Sequence, residues 1–103
     1  MITVITQFRL PAPLTRDMAK QLFMTTAPRY RDVPGLVRKY YHLSGDGRLC
    51  GAVYLWQSRA DAEKLYTEEW KRFVSSQYDA QPSVLFFDCP VIVDNPAGTI
   101  LDD

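Results

Sequence analysis

The sequence predicts an α+β fold in which two helices pack on one face of a four-stranded antiparallel sheet. The main observation is the order of the predicted elements, which is strand, helix, strand, strand, helix, strand. This βαββαβ order is that of the ferredoxin-like sandwich. The second observation is the length of 103 residues, which is that of one domain covering 1–103.

The composition excludes several functional classes. Twelve basic and twelve acidic residues give a net charge of zero, so the chain lacks the basic surface that nucleic-acid binding requires. The same balance gives no electrostatic reason to bind an anionic membrane. No apolar run approaches the roughly 20 residues of a membrane span, and the N-terminal residues read as a strand rather than a signal peptide. Cys50 and Cys89 show no CxxC spacing, so free thiols and a cytoplasmic location are expected.

The first strand and helix have clear local signals. Ile2–Phe8 alternates in the manner of a strand, and two prolines then end it. Thr15 is a plausible helix N-cap, and apolar residues follow it at helical spacing. Pro28 is expected to kink or end this helix, and Pro34-Gly35 to stop it before the next strand.

A hairpin follows, with strands at about 36–43 and 49–57 and turn residues Ser44-Gly45-Asp46-Gly47 between them. The pairing register of these two strands has two alternatives. A three-residue loop places Tyr40 and His42 on the face that carries Tyr54. A two-residue Asp46-Gly47 turn pairs Lys39 with Tyr54 and sends His42 to the opposite face.

The second half of the chain completes the pattern. Ser58 is expected to cap a helix, and Thr67 resembles a second N-cap, so this helix is expected in two segments. A short apolar strand follows at Val84–Phe87. The tail contains Val91-Ile92-Val93 and then a turn-like Asp94-Asn95-Pro96 before a polar end.

Neither face of the predicted sheet has the composition of a solvent-exposed face. The third strand offers Leu49, Val53 and Leu55 on one side. Its other side carries Cys50, Ala52, Tyr54 and Trp56. Because two helices cover only one face, the other is expected to be covered by a second copy in a homodimer. The Val91–Val93 segment is expected to pair with the edge of the partner's sheet.

Few residues offer catalytic chemistry. His42 is the only histidine, so one chain cannot build a multi-histidine metal site, and an ordinary strand histidine is the commoner role. No hydrolase, zinc-protease, P-loop or dinucleotide motif is present. Arg38 and Lys39 are neighbours on one strand, so one of them must face the covered side of the sheet.

The aromatic residues are the main candidates for a binding wall. Buried tyrosine and tryptophan need a partner for their polar atom, and this makes them suitable for lining a pocket, although plain core packing explains most such sets. The set consists of Tyr40, Tyr54, Trp56, Tyr66 and Trp70, with Phe23 of the first helix.

The stretch from Val33 to Tyr66 resembles the dimeric α+β barrel superfamily. Its members often open the second strand with Pro-Gly and a large apolar residue, here Pro34-Gly35-Leu36. They then end the third strand on an aromatic residue and begin a helix with Ser-x-x-x-Ala. Gly51-Ala52-Val53-Tyr54-Leu55-Trp56 is most similar to the small monooxygenases of the YdhR type. The resemblance implies the fold predicted above and dimers that pack sheet on sheet.

The resemblance also implies a range of activities. Some members of the superfamily oxygenate polycyclic phenols without a cofactor, some degrade haem, and others isomerise or dechlorinate small molecules. The asparagine of the haem-degrading branch is absent here, where Gln7 is nearest. The quinone-forming branch uses tryptophan, tyrosine and arginine, which Trp56, Tyr54 and Arg38 would match.

Three hypotheses follow. The first is a cofactor-independent monooxygenase for a small aromatic or polyketide-like substrate, with neither cofactor nor metal. Tyr54 and Trp56 would form the pocket wall, Arg38 or His42 would stabilise a phenolate, and Trp70 would close the pocket. Tyr40, Tyr66 and Phe23 would complete the binding surface. The second is a non-catalytic ligand-binding or stress-related dimer, and the third an isomerase or decarboxylase using His42.

Overall fold

The structure, a computed structural model, describes residues 1–102. Its elements confirm the predicted order and add a C-terminal hairpin. They are β1 (Ile2–Arg9), α1 (Arg16–Thr26), a 3₁₀ turn (Ala27–Tyr30), β2 (Leu36–Leu43), β3 (Leu49–Trp56), α2 (Arg59–Leu65), α3 (Glu68–Tyr78), β4 (Pro82–Asp88), β5 (Val91–Asp94) and β6 (Thr99–Asp102). The first four strands form an antiparallel sheet in the order β2-β3-β1-β4. This is the predicted ferredoxin-like fold.

The expected helix signals are confirmed in atomic detail. The hydroxyl of Thr15 accepts a hydrogen bond from the backbone N–H of Met18 at 3.2 Å. Ser58 caps α2 in the same way, and Thr67 caps α3, so the second helical region is divided where predicted. The helix before Pro28 ends in the 3₁₀ turn, because proline cannot donate the backbone hydrogen bond that would continue it.

The hairpin register follows the second of the two open alternatives. Lys39 pairs with Tyr54 and His42 with Gly51. The loop itself is longer than a two-residue turn, since the backbone N–H of Ser44 bonds to the carbonyl of Leu49 and leaves four residues between them. A bulge at Val37, between the paired residues on either side, shifts the register near the start of β2.

The helices cover one face of the sheet, and the core lies between them. The buried residues of β1 and β3 on this face are Ile2, Val4, Thr6, Phe8, Cys50, Ala52, Tyr54 and Trp56. The opposite face, which we call the open face, carries exposed apolar side chains. Leu85 is 57% exposed, Phe87 47% and Tyr40 54%. The structure therefore confirms that the uncovered face is apolar.

The C-terminal end, described from the sequence only as polar, forms an additional strand. Thr99–Asp102 forms a strand that pairs with Val91–Asp94, and the reversal uses Gly98 at a φ of 67°. This hairpin is a separate two-stranded sheet with exposed apolar side chains, among them Val93 and Ile100. Two-stranded hairpins are only marginally stable alone. The exposed apolar side chains of this arm are available for contact with a partner.

Candidate functional site

The helix-covered face of the sheet holds a cluster of aromatic side chains. Tyr54 and Trp56 are almost fully buried at 2% and 0% exposure and lie with ring centroids 6.4 Å apart. Tyr66 meets Tyr54 edge-on at 5.3 Å, and Trp70 meets Tyr66 edge-on at 5.0 Å. These edge-to-face arrangements are those that aromatic rings favour. The cluster is therefore an ordered wall between the sheet and α2–α3.

Both tryptophans of the cluster are fixed by hydrogen bonds to tyrosine hydroxyls. The Trp56 Nε1–H donates to the Tyr66 hydroxyl at 3.0 Å, and the Trp70 Nε1–H donates to the Tyr30 hydroxyl at 3.1 Å. Each hydroxyl accepts in this contact and keeps its own proton for donation. Burial raises the pKa of Tyr54 and of Tyr66 far above the ordinary value, so both stay protonated at neutral pH.

Lys39 extends from β2 into this aromatic region. Its Nζ lies 3.2 Å from the centroid of the Tyr30 ring, 4.1 Å from that of Tyr41 and 4.7 Å from that of Tyr54. Within residues 1–102 it forms no ion pair or hydrogen bond. The only favourable contacts of its ammonium group are the ring faces, which attract a cation.

The environment of Lys39 favours the neutral amine. Burial lowers the pKa of Lys39 from its ordinary value of 10.5 to about 6, because the charged form loses its hydration. The three ring faces attract the ammonium form and offset part of this shift. Within residues 1–102, no carboxylate forms an ion pair with Lys39 that would reverse this shift. A lysine in this setting is able to take up a proton near neutral pH.

Lys39 lines one small inner space, and a larger cleft lies on the other side of Tyr41. The inner one, between Lys39, Tyr54 and Trp70, has a volume of only about 10 Å³, which is at the lower limit for a single water. The outer one is a cleft of about 670 Å³ between α1 and the β2–β3 loop, within the range of small-molecule sites. Tyr41 borders both spaces and separates them.

The wall between the two spaces is held by specific contacts. The Tyr41 ring stacks on Phe23 of α1 at 4.8 Å, and the two hydroxyls of Tyr41 and Thr26 lie 2.9 Å apart. The far side of the cleft is anchored where the N–H of Leu14 bonds to the carbonyl of Gly47. Gly47 has a φ of 74°, and a side chain there would overlap the Leu14 carbonyl. Only glycine suits this close approach.

The structure divides the predicted site residues between the two faces of the sheet. Tyr54, Trp56, Tyr66 and Trp70 lie on the helix-covered side, and Phe23 lines the cleft. Arg38, Tyr40 and His42 alternate with Lys39 and Tyr41 and so lie on the open face. The two groups are separated by the sheet and do not line one cavity. Catalytic roles for Arg38 and His42 remain predictions for the open face.

His42 has a distinct environment on the open face. Its Nε2 is buried and has no hydrogen-bond partner within residues 1–102. Burial also lowers the pKa of the ring, which favours neutral imidazole at physiological pH. A buried nitrogen without a partner is costly, so this position would gain from a donor or acceptor supplied by another molecule.

Sequence reasoning missed Lys39, Tyr30 and Tyr41 as site residues. The signal for Lys39 was present, because one of the two basic neighbours on β2 had to face the covered side. The open hairpin register hid which one it was. Tyr30 lies on the 3₁₀ turn, and only the tertiary structure brings it over Lys39.

Residues 1–102 contain neither a cluster of metal ligands nor a membrane-spanning helix. Within the part of the chain that the structure describes, no three histidine, cysteine, aspartate or glutamate side chains are grouped as metal ligands would be. Cys50 and Cys89 are free, and Cys50 is buried. None of the helices in residues 1–102 has the length and apolar character to cross a membrane.

Comparison with solved structures confirms the fold. The chain is similar to a monooxygenase from the gene ActVA-Orf6 of Streptomyces coelicolor, solved in complex with nanaomycin D. The identity is 20%, 89% of each chain is covered, and the TM-score is 0.68. An antibiotic biosynthesis monooxygenase matches at 21% identity over 86% of this chain and 98% of that one, with a TM-score of 0.63.

A variant of SnoaB, a cofactor-independent oxygenase from Streptomyces nogalater, is also similar. It matches at 15% identity over 85% of this chain and 91% of that one, with a TM-score of 0.63. No protein-family model matches the sequence, and no curated protein matches it. At these identities the likeness is one of fold, and the narrower resemblance to YdhR-type monooxygenases remains a prediction.

Proposed function

We propose that the protein is a cofactor-independent monooxygenase that oxidises a small aromatic, polyketide-like substrate. The observation that carries this proposal is the Lys39 amine, which forms no ion pair or hydrogen bond within residues 1–102 and lies against tyrosine rings, one of which, Tyr41, also borders a cleft of about 670 Å³. Several solved structures of the same fold are described as monooxygenases, and one of them as cofactor-independent. Their likeness supports this choice of reaction class without deciding it.

The proposed reaction needs only the substrate, dioxygen and a base. A phenolic ring system with an activated CH₂ group, such as a hydroxyanthrone, loses a proton and becomes an electron-rich anion. This anion passes an electron to O₂, and the two radicals combine to a hydroperoxide on the former CH₂ carbon. Loss of water then leaves a carbonyl group. One oxygen atom enters the product, the other leaves as water, and the substrate supplies all four electrons.

Lys39 is the base in this proposal. As a neutral amine it accepts the substrate proton, and as ammonium it stabilises the anionic oxygen species that follow. Its charge acts in a poorly hydrated region, where electrostatic attraction is stronger than in water. Phe23 and Tyr41 would stack on the substrate rings in the cleft, and Tyr54 lies behind the lysine as a proton donor.

The test is oxygen uptake with a hydroxyanthrone or a hydroxylated naphthacene. The wild-type protein is expected to consume one O₂ for each quinone formed, at a rate above the background in buffer and with heat-denatured protein. Lys39→Met is expected to lower this rate by about 10²- to 10⁴-fold, the usual contribution of a general base. Lys64→Met, at an exposed lysine of α2, is the matched control and should keep the wild-type rate.

The possible outcomes test the oxygenase function and the role of Lys39 separately. Uptake by wild-type protein that never exceeds background would overturn the oxygenase proposal. Uptake that survives in Lys39→Met would leave the function standing and remove Lys39 from it. In that case Arg38 and His42, the polar residues of the open face, would be the next variants to assay.

We also propose that the protein is a homodimer in which the open faces pack together. Leu85 and Phe87 are about half exposed on that face, and such apolar surfaces usually mark an interface. Packing would cover them and bring a second molecule to the unpartnered Nε2 of His42. The exposed β5–β6 arm would add contacts at the edge of the partner's sheet, as the sequence suggests.

A non-catalytic ligand-binding function is the second candidate. The inner space of about 10 Å³ favours it, because rings that fill the interior so well act first as core. In this case an aromatic ligand would bind in the outer cleft and quench fluorescence from Trp70, which lies close to Tyr30 and the lysine. Binding without any oxygen uptake would favour this candidate over the oxygenase.

A further inference from the structure

Lys39 combines three features that are uncommon for a lysine. Three tyrosine rings enclose its Nζ. Within residues 1–102 it has no ion pair or hydrogen bond. It also lies directly behind Tyr41, the wall of the large cleft. A lysine is usually placed where its ammonium group is hydrated or ion-paired, and neither explains the position of Lys39.

We propose that Lys39 is a nucleophilic amine that condenses with an aromatic aldehyde or ketone entering from the cleft, forming an imine. The amine nitrogen attacks the carbonyl carbon, and a proton transfer gives a carbinolamine. The carbonyl oxygen then leaves as water, and a C=N bond joins the ligand to the lysine. No oxidant or reductant takes part, so the inference does not rest on the proposed oxygenase.

The surroundings of the amine suit a nucleophile. The rings that face it are tyrosines from three elements, and the inner lining, which also includes Trp70, Gln77 and Tyr78 of α3, contains no carboxylate. Burial lowers the pKa of Lys39 to about 6, so a large share of the amine is free at neutral pH. Burial raises the pKa of Tyr41 to about 12, so its hydroxyl stays protonated and is able to assist departure of the carbonyl oxygen.

The cleft defines the class of carbonyl compound. Its boundary toward Lys39 is the stacked pair of Phe23 and Tyr41, whose flat faces suit an aromatic ring. The inner space of about 10 Å³ is too small for a ligand, so the ring system must remain in the cleft. The carbonyl group would reach the amine when Tyr41 rotates and the flexible lysine side chain extends toward the opening.

Reductive trapping under argon tests this inference. The intact protein is treated near pH 7 with 4-hydroxybenzaldehyde and cyanoborohydride, which converts an imine to a stable secondary amine. Peptide mass mapping then assigns the label. Lys39 is expected to carry at least about tenfold more label than Lys64 or Lys71, because burial lowers the pKa of Lys39 and leaves much of its amine uncharged at this pH. Lys20 lines the cleft itself, so label found mainly on Lys20 would show binding in the cleft without reaction at Lys39 and would overturn the proposal. The label on the α-amino group is recorded alongside it for comparison between aldehydes.

Two comparisons make the result specific. Butanal should give a lower ratio of Lys39 label to α-amino label than the aromatic aldehyde does, because it gains little from the aromatic wall. In concentrated urea the preference for Lys39 should disappear, because unfolding removes the environment that frees the amine. Label spread evenly over the four lysines of the native protein, or confined to the α-amino group, would overturn the proposal. Since no oxygen is present, failure of the oxygenase assay would leave this result unaffected.

Discussion

Replacing Lys39 with methionine is expected to stabilise the protein and to remove part of its pH dependence. Methionine keeps an unbranched side chain in the same place and removes the amine that loses hydration on burial. In the unfolded chain Lys39 takes up a proton below its ordinary pKa of 10.5, whereas in the folded chain it does so only below about 6. Between these values the unfolded state holds more protons, so wild-type stability rises with pH.

The magnitude follows from this difference in pKa. Each pH unit between the two pKa values corresponds to 1.36 kcal/mol, so at pH 7 burial of Lys39 costs at most about 5 kcal/mol of folding free energy. Attraction to the ring faces returns roughly 0.5–2 kcal/mol. Lys39→Met is therefore expected to raise the free energy of unfolding by up to about 3–4.5 kcal/mol at pH 7. The gain should shrink steadily as the pH rises toward 10.

Urea denaturation of both proteins at several pH values between 6 and 9.5 measures this difference. Subtracting the two series cancels the titration of the buried tyrosines, which both proteins share. Lys64→Met should change stability by no more than about 0.5 kcal/mol, as expected for an exposed position. A loss of stability in Lys39→Met that is the same at every pH would refute the reasoning, since it would mean that the folded protein holds the lysine charged.

Three further predictions concern the fold and its assembly. Gly51→Ala should destabilise the protein by more than about 3 kcal/mol in urea denaturation, because a side chain there would overlap the carbonyl of Thr6. A cost below about 1 kcal/mol would contradict this, since it would show that the strands separate easily at this point. Thr67→Ala should cost about 1 kcal/mol by removing the N-cap bond to the Trp70 N–H, whereas Thr67→Ser should be nearly neutral. Leu85→Asp should convert a dimer of twice 11.8 kDa to a monomer in light scattering, and a wild-type protein that is already monomeric at micromolar concentration would contradict the proposed open-face interface.

Much of the fold could be predicted because its signals are local. Thr15, Ser58 and Thr67 each accept the N-cap hydrogen bond that their side chains and positions suggested. Pro28 ends α1 because its backbone nitrogen carries no hydrogen to donate. Such features depend on a few neighbouring residues, so one sequence is enough to place them.

The candidate site could be predicted only in part because it depends on register. The aromatic wall was recognised, since Tyr54 and Trp56 lie on the same face in either alternative. The polar residue facing it was not, because the length of the hairpin loop decides whether Lys39 or His42 faces that wall. The strand at Thr99–Asp102 was missed for a similar reason, since its four residues acquire strand geometry only by pairing with β5.

The most direct test of the account is a site-resolved titration of the lysine side chains. Protein labelled with ¹³C at lysine Cε gives one NMR signal for each of the four lysines, and Lys39→Met assigns the signal of interest. A neutral Lys39 amine predicts that this signal titrates with a midpoint between about 6 and 8, well below the ordinary pKa of 10.5 for lysine. A midpoint near 10.5 for Lys39 would contradict the proposed roles, because Lys39 would then be charged at neutral pH and neither a base nor a nucleophile.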